Sequence, residues 1–197
     1  AVYIEPWAPI TTLGALADVA TRARSIAQEK PVVLAAYQSV YSKASAEEAD
    51  QATKLTMATL FSHGATQLLA GEGGRVLTDP YYVNNHEATV GTLEMLERWY
   101  DFLVEHDEIL MDRRIAEVTD SFAGPLNEDI EVEYDNLCVT EDPREGAVWR
   151  RVTMTPHGLV VHLINLVGQK DTLWDSPKRS GILLEGGRLI MRRCAGR

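Results

Sequence analysis

Three short apolar runs, separated by two amphipathic helical stretches, constrain the fold of this chain more than any other feature. The runs are residues 2–5, 32–37 and 66–70. The second, VVLAAY, has no polar alternation before its last residue. A parallel strand buried on both faces reads that way, whereas a half-exposed antiparallel strand alternates. Parallel neighbours need a crossover connection, so a βαβαβ rhythm implies a parallel sheet with a helix in each crossover. Chemistry in such folds collects at the carboxyl ends of the strands. Glu5, Tyr37 and Glu72 each stand at such an end.

The helical stretches carry their own punctuation. Residues 10–30 place Leu13, Leu16, Val19, Ala20, Ala23 and Ile26 at helical spacing, with Thr11 or Thr12 as N-cap and Pro31 as the stop. Residues 45–63 open on Ser45 and Glu48, a capping-box spacing, and close on Gly64. A third helix is expected over 87–110, with an apolar stripe of Leu93, Leu96, Tyr100, Leu103 and Val104. After about residue 121 the period changes to two. Ile130, Val132 and Tyr134 alternate with acids, residues 148–154 alternate again, 159–166 is strongly apolar, and 182–191 holds two strand-like runs around Gly186-Gly187. Alternation punctuated by turn residues means antiparallel sheet. The expected division is therefore an α/β domain over 1–115 and a β-sandwich-like domain over 116–197.

Charge narrows the partners. The net charge of −10 argues against nucleic acid and against anionic membrane surfaces, which favour basic patches. No apolar run is long enough to span a bilayer. The two cysteines, Cys138 and Cys194, form no CxxC pair, so a zinc site is not expected, and their disulfide state stays open. No cofactor is implied, although room is left for a structural calcium ion.

Several residues are candidates for chemistry. Glu5 precedes Pro6 and Trp7 and reads as a general acid/base at a strand end, or else as a capping or salt-bridging carboxylate there. Glycosidases need two carboxyl groups, about 5–5.5 Å apart in retaining enzymes and about 6.5–9.5 Å in inverting ones. An apolar wall such as Trp7 would help one of them stay protonated. Glu72, set among Gly71, Gly73 and Gly74, is a second carboxylate, an acceptor for substrate hydroxyls, or a turn residue. Its glycine-rich segment lacks the Lys-Ser/Thr ending of a phosphate loop. Asp79, Tyr81, Tyr82, Asn84, Asn85 and His86 have the composition of a carbohydrate site, with Trp7 and Tyr37 suited to stacking on sugars. One of the two tyrosines is expected to lie beneath the last helix. His63 and His86 lack metal-ligand spacing, and Trp149 and Trp174 are expected in the core or interface of the β domain.

The stretches AVYIEPW, KPVVLAAY, LLAGEGGRVLTDPYYVN, RWYDFLVEHDEIL and VVHLINLVGQKDTLWD resemble glycoside hydrolase family 66, the endo-dextranases and cycloisomaltooligosaccharide glucanotransferases. They occur in family order from residue 1 to about 178. The resemblance implies the last three βα units of a (β/α)8 TIM barrel followed by an antiparallel Greek-key β-domain. It further implies retaining chemistry on α-1,6-glucosidic linkages, with Glu5 as the acid/base at the end of strand six. The family's nucleophile is an Asp on strand four, a strand that this chain does not carry. The chain opens at Ala1 within a strand and is thus expected to be a C-terminal fragment, inactive alone. In the parent, Trp7, Tyr37, Glu72, Asp79, Tyr81 and Asn84 are expected to hold glucose units of an α-glucan such as dextran. A monomeric, extracellular or cell-surface protein is expected, because dextran does not enter cells intact. Cyclising transfer, an inactive α-glucan-binding protein and an α-galactosidase-like barrel are the alternatives.

Overall fold

The computed structural model describes residues 1–27, 29–119 and 130–191, and resolves into two compact units. One comprises Ala1–Arg113 with Thr172–Ser180, the other Arg114–Asp171 with Gly181–Arg197. The expected division at 115/116 thus differs in two respects: the boundary falls between Arg113 and Arg114, and Thr172–Ser180 returns to the first unit. The fold is mixed α/β, as the two hydrophobic periods require.

In the first unit, β1 (Val2–Ile4), β2 (Val32–Leu34) and β3 (Ala65–Gln67) form a parallel sheet in that order. Val2, Val32 and Ala65 share one register line, and Ile4, Leu34 and Gln67 another. Helix α1 (Leu13–Ala27) fills the first crossover and α2 (Ala46–Ser62) the second. The ladder of β2 ends three residues before Tyr37, because the Tyr37 N–H turns back to the Ala35 carbonyl. Thr12 caps α1 by accepting from the Ala15 N–H. The buried face of α1 is Leu13, Leu16 and a run of alanines, while Ile26, expected on that face, is 69% exposed. Ser45 and Glu48 form the full capping box on α2. Gly64 ends that helix at φ +71, and a Cβ there would run into the Arg24 side chain.

Beyond β3 lie a 3-10 turn at Glu72–Gly74 and an antiparallel pair of two-residue strands, β4 (Arg75–Val76) and β5 (His86–Glu87), joined by the loop 77–85. The helix expected over 87–110 is shorter and broken. It consists of α3 (Val90–Glu105), capped by Thr89, and α4 (Asp107–Leu110), with His106 non-helical between them. Its buried line is Thr92, Met95 and Leu96, so Leu93 and Val104 lie outside the core. Packing against α2 selects that line: the Trp99 ring meets Phe61 at 6.0 Å.

The second unit is antiparallel in the main. It contains β6 (Ala116–Glu117), β7 (Ile130–Glu133), β8 (Val139–Thr140), β9 (Val148–Thr155), β10 (Gly158–Asn165) and β11 (Arg188–Met191). The order β10–β9–β6 makes one sheet, with β8 pairing parallel to β9, and β11 pairs with β7. Of the two runs expected in 182–191, only the second is a strand. Val118, Ile130 and Val152 form its core cluster, with Val161 packed on it. Cys138 is exposed; the other cysteine, Cys194, lies outside the described residues.

Cross-strand pairing sets His162 opposite Arg151, and the ring shares a 3.0 Å hydrogen bond with Thr153. Burial first, and the Arg151 charge second, push His162 down from 6.5 to about 4. Between those values the unfolded chain binds a proton that the folded unit refuses. Stability therefore falls as pH drops from about 6.5 towards 4, by on the order of 2–3 kcal/mol for this partly exposed ring. Urea unfolding from pH 7 to 4 should show a shallower loss for His162→Gln than for the parent chain; parallel curves would refute it.

Candidate functional site

Alternation along β1 puts Tyr3 and Glu5 on one side of the strand. The Glu5 carboxylate stands just past the carboxyl end of β1, beside the segment that leaves β2. The Tyr3 hydroxyl donates to Glu5 Oε1 at 3.0 Å, and the Tyr37 hydroxyl donates to the same oxygen at 2.9 Å. The two hydroxyls lie 3.2 Å from each other. Glu5 Oε2 has no hydrogen-bond partner among the described residues. Burial pushes the Tyr37 phenol well above its ordinary range, and the hydrogen bonds to Tyr3 and Glu5 push it further. It therefore stays a protonated donor at any working pH.

Next to this trio lies a cleft of about 490 Å³, lined by Trp7, Tyr37, Thr78, Asp79, Trp174 and Asp175 among others. The rings of Trp7 and Tyr37 pack at 6.0 Å with an interplanar angle of 41°. Trp7 is half exposed, so its face remains open to a ligand. Trp174, expected in the β domain, instead belongs to the first unit, with its indole N–H donating to the Ile10 carbonyl at 2.9 Å. Asp175 accepts from the Val40 N–H at 2.9 Å and from the Ser39 hydroxyl. It thereby tethers the 3-10 turn Ser39–Ser42 that follows Tyr37.

The remaining sequence candidates separate. Asp79 borders the cleft, but its two oxygens already bind its own loop: Oδ1 accepts from the Tyr81 N–H and Oδ2 from Asn84 Nδ2, each at 2.6 Å. Asn84 also accepts at its carbonyl from the Thr78 hydroxyl. Asp79 and Asn84 thus shape the loop, which leaves Tyr81 69% exposed at its tip. Glu72 is exposed in its 3-10 turn, where Gly73 and Gly74 take φ of +63 and +74, and it does not line the cleft. His86 stacks on Tyr41, and His63 bonds the Thr59 carbonyl, so both serve the scaffold.

Sequence reasoning missed Tyr3, Trp174 and Asp175. The first was readable, since a residue two before a strand-end carboxylate shares its face. The other two reach the cleft through contacts more than 130 positions away, which no local pattern reports.

Comparison with known proteins places these features in a family. A curated relative, the cycloisomaltooligosaccharide glucanotransferase of Niallia circulans, is 29% identical over 129 residues, 64% of this chain and 12% of that protein. The crystal structure of a Paenibacillus sp. cycloisomaltooligosaccharide glucanotransferase complexed with cycloisomaltoheptaose superposes with a TM-score of 0.57 at 23% identity, covering 66% of this chain and 18% of the other. The matched part is thus a small share of each relative's length. Residues 1–181 match the family model for Glycosyl hydrolase family 66, and the chain belongs to that family.

Proposed function

We propose that this chain supplies the acid/base half of a retaining active site that acts on α-1,6-linked glucans. In this reading β1, β2 and β3 are the last three strands of a (β/α)8 barrel, and the second unit is a Greek-key domain. The observation that carries it is the Glu5 carboxylate at a strand's carboxyl end, with Oε1 held by two phenols and Oε2 without a partner among the described residues, beside an aromatic cleft. Glu5 protonates the departing glycosidic oxygen. An Asp from the family's fourth strand, outside these residues, attacks the anomeric carbon and forms the glycosyl-enzyme. Glu5 then deprotonates water, or an acceptor sugar hydroxyl, which releases the Asp. Trp7 and Tyr37 offer apolar faces to glucose rings, and Asp79, Tyr81, Asn84 and Glu72 are assigned to more distant sugar contacts.

Hydrolysis by an endo-dextranase-like enzyme is the first reading. Cyclising transfer is the second, favoured because both named relatives are cycloisomaltooligosaccharide glucanotransferases. The test is incubation of the full polypeptide carrying these residues with dextran, with products followed by mass spectrometry and by anomeric NMR. Linear isomaltooligosaccharides appearing first as the α anomer support hydrolysis, and cyclic products support transfer. A β anomer appearing first, or no cleavage at all, overturns the proposal. The 197 residues alone are expected to be inactive, because they bring one carboxyl of the pair.

A further inference from the structure

Three oxygens meet at the end of β1: the Tyr3 hydroxyl, the Tyr37 hydroxyl and Glu5 Oε1, each within 3.2 Å of the other two. Two phenolic protons serve this ring. Whether both point at Glu5, or one points at the other phenol, Oε1 always accepts. Both of its in-plane lone pairs are committed in the first arrangement and one in the second, while Oε2 takes no donor among the described residues, so a proton bound by Glu5 resides on Oε2. The ring is also anchored on both sides. Tyr3 belongs to β1, Tyr37 follows β2, and the Tyr37 ring is packed on Trp7 at 6.0 Å. A carboxylate held at one oxygen by groups from two adjacent strands has lost rotation about its terminal torsion, which is otherwise broad.

We propose that Tyr3 and Tyr37 form a positioning pair that commits Glu5 Oε2 as the single oxygen carrying the catalytic proton. The inference rests on the reading of Glu5 as acid/base. In the first half-reaction the Oε2–H proton moves to the glycosidic oxygen as the C1–O bond breaks. Its electron pair leaves on that oxygen, and the nucleophilic Asp bonds to C1. In the second, Oε2 takes a proton from water as the water oxygen replaces the Asp at C1, so Glu5 ends protonated as it began. Neither tyrosine exchanges a proton with substrate. Each acts through Glu5 by fixing which oxygen faces the cleft. The raised Tyr37 phenol supports the same arrangement, since it keeps its proton to donate.

The test compares leaving groups in the full polypeptide. Dextran has a poor leaving group that needs protonation; a 2,4-dinitrophenyl α-isomaltooligoside departs without it. Tyr3→Phe and Tyr37→Phe should each lower kcat on dextran about tenfold, and the double variant about a hundredfold, within the usual range for general acid catalysis. KM should barely change, and turnover of the activated substrate in its first half-reaction should stay within about threefold of the parent, because no acid is needed. Equal losses on both substrates would assign the tyrosines a merely structural role and overturn the inference. So would undiminished dextran turnover in the double variant. Glu5→Gln measured alongside separates the two levels: if it leaves dextran turnover intact, the assignment of Glu5 itself has failed.

Discussion

Glu5→Gln in the full polypeptide is expected to reduce dextran turnover by about 10²–10⁴-fold, the range general acid–base catalysis supplies, with KM within about threefold of the parent value. The substitution isolates the proton. The amide oxygen of the replacement side chain still accepts from Tyr3 and Tyr37, so the three-oxygen ring at the end of β1 persists. The amide nitrogen then occupies the place of Oε2 and has no acidic proton to give. The substitution leaves Trp7 and the rest of the cleft lining unchanged, so binding is expected to be spared. A corollary reads out without turnover. The Glu5 charge helps push the Tyr37 phenol up, so the Tyr37 ionisation should move downward in the variant when phenolate absorbance is titrated. Near-parent turnover would remove Glu5 from the chemistry. A lost activity accompanied by lost glucan binding would instead indicate a collapsed cleft.

The parts of this molecule that were legible in the sequence are those governed by near neighbours. The βαβαβ order follows from apolar runs and helical spacing, and the Ser45–Glu48 capping box is a three-residue rule that the structure obeys. Periodicity was less decisive for α3. A helix with apolar residues at 93, 95, 96, 99, 102, 103 and 104 offers more than one stripe, and only contact with α2 chooses Met95 and Leu96 over Leu93 and Val104. The loop at 79–84 was ambiguous for a different reason. Asp and Asn satisfy loop backbone and sugar hydroxyls with the same atoms, so composition alone does not distinguish the two uses. In the structure both Asp79 oxygens are spent on the loop. The position of Glu5 just past the end of β1 was legible from the strand pattern. Its partner Tyr37 was visible as an aromatic residue, but its part in holding the carboxylate was not. That depends on the register that sets Ile4 against Leu34 and so brings the two strand ends together.

Trp174→Ala is expected to cost about 3–5 kcal/mol of stability in the first unit, the usual range for removing a buried aromatic side chain. The loss has three sources. The indole is only 7% exposed, so its deletion leaves a cavity that the surrounding backbone cannot close. Its N–H no longer satisfies the Ile10 carbonyl, held at 2.9 Å. The Thr172–Ser180 segment also loses its anchor. That segment is stitched to the first unit by Leu13 N–H to Thr172 at 2.8 Å, Trp174 N–H to Thr11 at 3.1 Å, Lys178 N–H to Glu48 at 3.2 Å, and the Asp175 contacts to Ser39 and Val40. Each of these is a short backbone or side-chain bond worth about 1 kcal/mol net. Alone they do not outweigh the entropy of ordering nine residues. The buried indole tips that balance. Trp174→Phe, which keeps most of the apolar volume and loses only the N–H bond, should therefore cost about 1–2 kcal/mol. Chemical denaturation gives the energies, and limited proteolysis shows whether cleavage within 172–180 accelerates in the Ala variant and not in the Phe variant. Because Trp174 also lines the cleft beside Asp175, glucan affinity should weaken in step with proteolytic opening. A loss below about 1 kcal/mol in the Ala variant, with cleavage unchanged, would show that the hydrogen bonds alone hold the segment.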